Sequence, residues 1–221
     1  MPPFRPRCRA RDRPARLIAK PALAGPAPLV FLAGDTIHAQ GDAALRLFRV
    51  LSGAVRTCRF EADGRRHIVA FNLPGDVFGF ATDGLHQFDA EAICHTMLHP
   101  LPMAGEPGGK AERMEGALRS LHQTREHLIV LARQSAMARI AAFLIDMAQR
   151  QPGAAICNLP MSRADIGDYL GLTMETVSRL ISQLRAQGII QQASRRSFKI
   201  MRPVALKAAM DGRLPDRCAR S

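Results

Sequence analysis

Between Thr173 and Leu184 the sequence reads TMETVSRLISQL. Glu175, Ser178, Arg179 and Ser182 recur there at spacings of three and four. Val177, Leu180, Ile181 and Leu184 recur in the same way on the opposite side, so a helix here buries one face and displays the other. The displayed side chains can read the edges of bases. An arginine donates two hydrogen bonds to guanine, a glutamate accepts from the amino group of cytosine or adenine, and a serine comes close to a thymine. A helix also has about the width of the DNA major groove. A carboxylate facing DNA is costly, which points to base readout or the positioning of Arg179 as the purpose of Glu175. Its place near the helix start makes the charge tolerable. Glu175, Ser178 and Arg179 are therefore the expected base contacts. The competing reading is an amphipathic surface helix whose polar face is simply solvated.

Such a rod needs elements to hold it. Ser162-Arg163-Ala164-Asp165 fits a capping box, in which a hydroxyl accepts the N–H three residues on and a carboxylate reaches back. It opens a first helix that buries Ile166 and Leu170. Gly171 ends that helix in the left-handed conformation a sharp turn needs. Leu172 plugs the space between the two helices, and Thr173 caps the second. Behind them, Gly188–Met201 reads as a hairpin turning at Ser194-Arg195-Arg196. Arg195, Arg196 and Lys199 suit phosphates, whose contacts add salt-sensitive affinity without sequence choice; their plainer role is solubility. Ser162, Thr173, Thr176 and Ser182 complete the expected backbone-contact set.

Charge agrees with this placement. The chain has 221 residues and a formal net charge of +12. Residues 1–30 hold seven Arg or Lys against one acid, and residues 161–221 hold eleven against five, whereas 31–160 are neutral. A neutral middle with two basic ends suits a polyanion partner. The first residues could imitate an export signal, but Pro21, Pro26 and Pro28 interrupt the apolar run. An organellar transit peptide is a further reading, and a disordered basic tail the plainest. No run of apolar residues is long enough to span a membrane. The five cysteines (Cys8, Cys58, Cys94, Cys157, Cys218) are odd in number and far apart. They argue against a disulfide framework and the usual zinc spacings, and for a reducing cytoplasm.

From Asp35 to about Met103 the text is strand-like: LFRVLSG (Leu47–Gly53), AVRTCRF (Ala54–Phe60) and HIVAFNL (His67–Leu73) alternate with turn residues. Asp63-Gly64 between two such runs signals a hairpin. Regular spacing of strands and turns suggests a sandwich or jelly roll. Leu101–Gly109 holds two prolines and three glycines and breaks structure. From Ala111 to Gln149 runs a helical passage without Gly-Pro punctuation strong enough to stop it. It is either a helix hairpin within one domain or a long helix pairing with its copy. Gln151-Pro152-Gly153 closes it.

The segment Asp165–Leu184, centred on Glu175-Thr176-Val177-Ser178-Arg179, resembles the winged helix-turn-helix of the Crp/Fnr family of bacterial transcription regulators. LFRVLSGAVRTCRF, DGRRHIVAFNLPGDVFGF and HLIVLARQSAMARIAAFLIDMA resemble that family's sensor domain and dimerisation helix. LPMSRADIGDYLGLTMETVSRLISQL is closest to the FixK-like branch of the FNR-like group. The catabolite activator branch generally has Gly where Ser178 stands and Arg where Met174 stands. The resemblance implies an α+β chain: an antiparallel β jelly roll of the cyclic-nucleotide-binding type, a long dimerisation helix and a C-terminal winged helix-turn-helix. The corresponding boundaries are 1–30 for a basic tail, 31–110 for the roll, 111–135 for the dimerisation helix, 136–208 for the DNA-binding domain and 209–221 for a basic tail. It further implies a homodimer on double-stranded DNA bearing a TTGAT-N4-ATCAA palindrome. It also implies activation through RNA polymerase, often of genes for low-oxygen respiration or nitrogen fixation. Leu118, Leu121, Arg125, Leu128, Leu131 and Ala132 become candidates for the dimer seam.

The family's ligands fit poorly. Cyclic-nucleotide binders hold the phosphate with an Arg followed by Ser or Thr after a Gly-rich turn. The turn Pro74-Gly75-Asp76-Val77-Phe78-Gly79 is present, but Phe88 and Asp89 stand about where that pair belongs, with Glu91 close by. No cyclic nucleotide is expected. Oxygen-sensing relatives hold an iron–sulfur cluster through clustered N-terminal cysteines, and here only Cys8 is near. Haem needs a histidine; His95 and His99 could share a strand face, and His38, His67 and His86 lie on the same domain, but ordinary histidines account for them. No cofactor is expected. No nucleophile–base pair, Walker loop or dinucleotide fingerprint appears, so no enzyme is expected. The alternative function is a ligand- or metal-binding jelly-roll protein, a haem sensor or cupin-like enzyme, whose basic ends do not read DNA. Cys157, just before the two short helices, is the thiol best placed for redox control, with an inert thiol the plainer reading.

Overall fold

The computed structural model describes residues 27–101, 110–151, 153 and 156–213. Most of the expected N-terminal tail and the last residues of the expected C-terminal tail lie outside these residues, as do Cys8, Cys218 and most of the expected breaker between Leu101 and Gly109.

Eight strands form the N-terminal roll: β1 (Leu29–Phe31), β2 (Thr36–His38), β3 (Leu47–Ser52), β4 (Val55–Phe60), β5 (Arg66–Asn72), β6 (Val77–Phe78), β7 (Asp89–Ala92) and β8 (Thr96–Leu101). They pair antiparallel in two four-stranded sheets, ordered β1-β8-β3-β6 and β2-β7-β4-β5. Strand β1 pairs Leu29 with Leu98, so the roll starts inside the segment expected to be a tail. The reason is a partner some seventy residues downstream, which no local pattern announces. The expected hairpin joins β4 to β5. Gly64 turns it at φ 85°, and Glu61 N–H donates to the Arg65 carbonyl. Val50, Val55, Phe78, Ala90 and Leu98 close a small core between the sheets.

Then come α1 (Lys110–Leu131) and α2 (Ala136–Gln149). The long helical passage divides because Ser135 adopts an extended conformation and its side chain accepts the Ala138 N–H, capping a new helix. The hairpin reading is not met, while α1 stands as a separate long helix that ends near the expected boundary at 135. The second helix packs on later elements instead of folding back along α1 as a hairpin. It is followed by β9 (Cys157–Asn158), α3 (Arg163–Leu170), α4 (Met174–Ala186), β10 (Ile190–Ser194), β11 (Ser197–Ile200) and α5 (Pro203–Met210). Strands β10, β11 and β9 form a three-stranded wing. The end of α5 passes the expected boundary at 208.

The larger core is continuous across both halves. It joins Ala54, Cys58, Ile68, Phe71 and Leu73 of the roll to Ile140, Phe143 and Leu144 of α2 and to Ile166, Leu170, Val177 and Leu184. Burial of this many apolar side chains, each contributing about 1.5–3 kcal/mol, fixes the C-terminal helices against the roll. No helix among the described residues is long and apolar enough to cross a membrane.

Candidate nucleic-acid interface

The capping box at the start of α3 forms in full. Ser162 Oγ accepts the Asp165 N–H at 3.0 Å, and Asp165 Oδ2 accepts the Ser162 N–H at 3.0 Å. Gly171 ends α3 at φ 64°. A Cβ on Gly167 would stand 2.6 Å from the Leu172 carbonyl oxygen, so α3 and the turn approach as closely as backbones can. Thr173 caps α4 through the Thr176 N–H. Val177, Leu180, Ile181 and Leu184 are buried. Glu175, Ser178, Arg179 and Ser182 are all exposed, on one continuous face. Met174, half exposed at the head of α4 and marked in the sequence only as a difference from the catabolite activator branch, joins that face. The hydroxyls of Ser162 and Thr173 are engaged in caps, and Thr173 Oγ1 also donates to Thr176 Oγ1 at 3.1 Å. Any phosphate contact by these three therefore shares an oxygen already in use.

The wing stands beside α4. Arg185 Nη1 donates to Gln192 Oε1 at 3.0 Å, joining the last turn of α4 to β10. Arg195, Arg196 and Lys199 are exposed on or next to the hairpin turn. The array that can meet a duplex is thus a polar helix face flanked by cations, with no acid beyond Glu175 on α4.

On α1, Leu118, Leu121, Arg125 and Leu128 are exposed, as is Ala132 just past its end, while Leu131 is half-buried. Met114 is 59% exposed and extends the stripe one turn towards the N-terminus. Met114, Leu118, Leu121, Arg125, Leu128 and Ala132 alternate spacings of four and three, the repeat of a two-stranded helical seam. The opposite side of α1 sits on the roll: a Cβ on Gly116 would be 2.7 Å from Val77 Cβ, and Arg49 pairs with Glu112 at 2.6 Å.

Asp76, read from the sequence only as a turn residue, is a hub. Its carboxylate accepts the Leu73 N–H at 2.7 Å, Gln123 Nε2 of α1 at 3.0 Å and Arg150 Nη2 at 2.6 Å. Arg139 of α2 ties the junction from the other side, donating to the carbonyls of Arg133 and Leu170. His127 of α1 stacks on Tyr169 of α3 with ring centres 3.7 Å apart, and burial holds its pKa down.

Inside the roll, Asp89 Oδ1 accepts the Gln40 N–H, so the position where the phosphate clamp is looked for carries a carboxylate already bonded to backbone. His38 and His86 stack at 3.5 Å, both buried. Burial, helped by His86, pushes the His38 pKa down to about 4 against the opposing charge of Asp42. His67 pairs with Glu61 at 3.2 Å. His95 precedes β8 and does not share a strand with His99, a correction to the sequence expectation. Among the described residues no group of three His, Cys, Asp or Glu is arranged to hold a metal ion. Burial raises the Cys157 thiol to about 11 and the Cys58 thiol to about 12, leaving little thiolate at neutral pH.

Comparison with known proteins adds the following. Residues 138–209 match the Crp-like helix-turn-helix domain family, and residues 28–100 match the cyclic nucleotide-binding domain family. The nitrogen fixation regulation protein FixK of Rhizobium meliloti (strain 1021) is 42% identical over 191 residues, covering 83% of this chain and 90% of the relative. The protein of the same name from Azorhizobium caulinodans is 37% identical, covering 88% and 82% respectively. Among solved structures, FixK2 from Bradyrhizobium japonicum superposes with a TM-score of 0.76 at 35% identity, covering 83% of this chain and 96% of that one. A CRP-family transcriptional regulator from Thermus thermophilus gives 0.70 at 26% identity, covering 82% and 96%.

Proposed function

Since the chain belongs to the Crp/Fnr family of transcription regulators, in its FixK-like branch, and that family consists of DNA-binding regulators and not enzymes, we propose that it works as a homodimer reading a TTGAT-N4-ATCAA-type palindrome. The observation that carries this reading is the division of α4. Its buried apolar residues fasten it to the core, and Glu175, Ser178 and Arg179 are left free on the outer face. Arg179 donates to guanine, Glu175 accepts from an exocyclic amine and orients Arg179, and Ser178 packs at a thymine. Ser162, Thr173, Thr176, Ser182, Arg195, Arg196 and Lys199 take the sugar–phosphate backbone. The stripe on α1 pairs with its copy, and two-fold symmetry then sets the two α4 helices one turn of DNA apart, about 34–36 Å.

The FixK relatives are named as regulators of nitrogen fixation, which supports control of such genes here; activation through RNA polymerase in the cytoplasm, extending to low-oxygen genes, is the further part of this proposal. The roll matches the cyclic nucleotide-binding domain family, yet Phe88 and the backbone-bonded Asp89 stand where an Arg–Ser pair would hold the phosphate. Cyclic nucleotide is therefore not its signal. The segments act as a basic tail, a roll from β1 to β8, a dimerisation helix in α1, a DNA-binding domain from α2 to α5 and a second basic tail.

Fluorescence anisotropy with palindromic and scrambled duplexes at one fixed salt concentration tests this. Wild-type protein favours the palindrome, and Arg179→Ala loses about 1–3 kcal/mol on it and discriminates less at the guanine. Equal binding of the wild type to both duplexes overturns the reading.

A further inference from the structure

At the start of β5, Arg66 reaches out of the roll to α3. Its Nη2 lies 2.6 Å from Asp165 Oδ1 and 2.7 Å from Asp168 Oδ2, and its Nε donates to Asp168 Oδ2 at 2.9 Å. Arg56 on β4 joins the same group, 2.7 Å from Glu91 and 3.3 Å from Asp165. These groups are largely out of water: the side chain of Asp165 is 5% exposed and that of Arg66 21%. An exposed pair would contribute little. This one is a multidentate arginine between two carboxylates, the geometry in which an ionic contact orients its partners.

Asp165 does two things at once. Its Oδ2 receives the Ser162 N–H and hydroxyl and so starts α3, while its Oδ1 faces Arg56 and Arg66. One carboxylate therefore both begins the first helix of the helix-turn-helix and fastens it to the roll. The close approach at Gly167 makes α3, the turn and the start of α4 one body. The roll is in turn fixed to α1 through Gly116, Glu112 and Gln123. A chain of contacts thus runs from the seam helix through the roll and Arg66 to the recognition helix, in addition to the covalent link at residues 132–135.

We infer that Arg66 is a positioning residue for DNA reading: it holds α3 so that the two recognition helices of the dimer stand at one separation, and thereby sets discrimination between half-site spacings. Arg66 itself touches no base. The inference rests on the proposed dimer and palindrome.

Anisotropy titrations with duplexes whose half-sites are separated by three, four or five base pairs test it, with a single half-site as reference. Each added pair turns a half-site by about a tenth of a helical turn, which a rigid dimer cannot follow. The wild type favours the four-base spacer. Arg66→Ala narrows that preference by roughly tenfold, the effect of about 1.4 kcal/mol lost from holding one geometry. Asp168→Ala, which leaves the capping box intact, moves the same way. Arg66→Lys restores part of the preference because it keeps the charge. Arg65→Ala, at a 76% exposed side chain paired only with Asp63, leaves the preference unchanged. If Arg66→Ala does not fold, Asp168→Ala and Arg66→Lys carry the test. A fall in affinity that is equal at all spacings, with the preference intact, overturns the positioning role. A wild type without spacing preference overturns the dimeric palindrome reading instead, and the inference with it.

Discussion

Replacing Asp76 with alanine removes a carboxylate that ties the roll to Gln123 of α1 and to Arg150, the C-cap of α2. The residue is 7% exposed. Three consequences follow from its contacts. The Leu73 N–H, which lies in a buried turn, loses its acceptor, at a cost of about 1–3 kcal/mol. Gln123 loses its bond but remains near solvent and costs little. Arg150, with its side chain 15% exposed, loses a partner at 2.6 Å. Breaking a buried pair from one side costs about 3–5 kcal/mol. That figure is reduced here, because Arg150 keeps the Phe71 carbonyl at 2.6 Å and Asp146 at 3.6 Å. The net loss is about 4 kcal/mol. Urea unfolding followed by circular dichroism, at one protein concentration, reads it: with an m-value of about 2–3 kcal/mol/M, the midpoint falls by about 1.5 M. Removing both partners, in Asp76→Ala with Arg150→Met, costs clearly less than the two single changes added together, since neither member of the buried Asp76–Arg150 pair is then left without the other. A midpoint for Asp76→Ala within about 0.3 M of wild type, well under the shift worked from its m-value, refutes the reasoning. Strict additivity in the double variant refutes it as well.

His38 makes stability fall with acid. Its folded pKa of about 4 lies below the ordinary 6.5, so the unfolded chain binds the proton first. The contribution is complete above pH 6.5 and is lost as pH falls towards 4, up to about 3 kcal/mol; His38→Phe flattens urea midpoints over that range, and an unchanged slope disproves the assignment. Leu128, 62% exposed on α1, lies on the stripe proposed to pair with its copy; on that reading Leu128→Glu yields monomers in sedimentation and weak palindrome binding, and a persistent dimer would count against the stripe. Gly167→Ala forces a methyl towards the Leu172 carbonyl at 2.6 Å and costs about 1–3 kcal/mol, with wild-type melting as the contrary result.

Local signals carried the sequence reading as far as they reach. The two faces of α4, the Ser162 cap, the Gly171 stop and the Asp63-Gly64 hairpin each depend on residues within a few positions of one another. Backbone geometry repeats over that distance, so the pattern alone determined the two short helices and the strand-and-turn text of the roll. The exposed leucine stripe of α1 was legible for the same reason, though Met114 escaped because one more turn looked no different from surface. The division of the long helical passage was local too, but a single serine cap is a weak sign against about forty residues of good helix formers. Other features had no local sign at all. Arg66 and Asp165 are 99 residues apart, and Arg150 and Asp76 are 74. A charged residue looks the same in the sequence whether it ends in water or against a partner. Only the packing of α2 and α3 on β5, driven by burial of Phe71, Phe143 and Leu170 in one shared core, decided which charges would meet. The sequence by itself determined which face of α4 is free to read a ligand; the tertiary structure decided where that face points, because orientation is set by long-range contacts that no periodicity encodes.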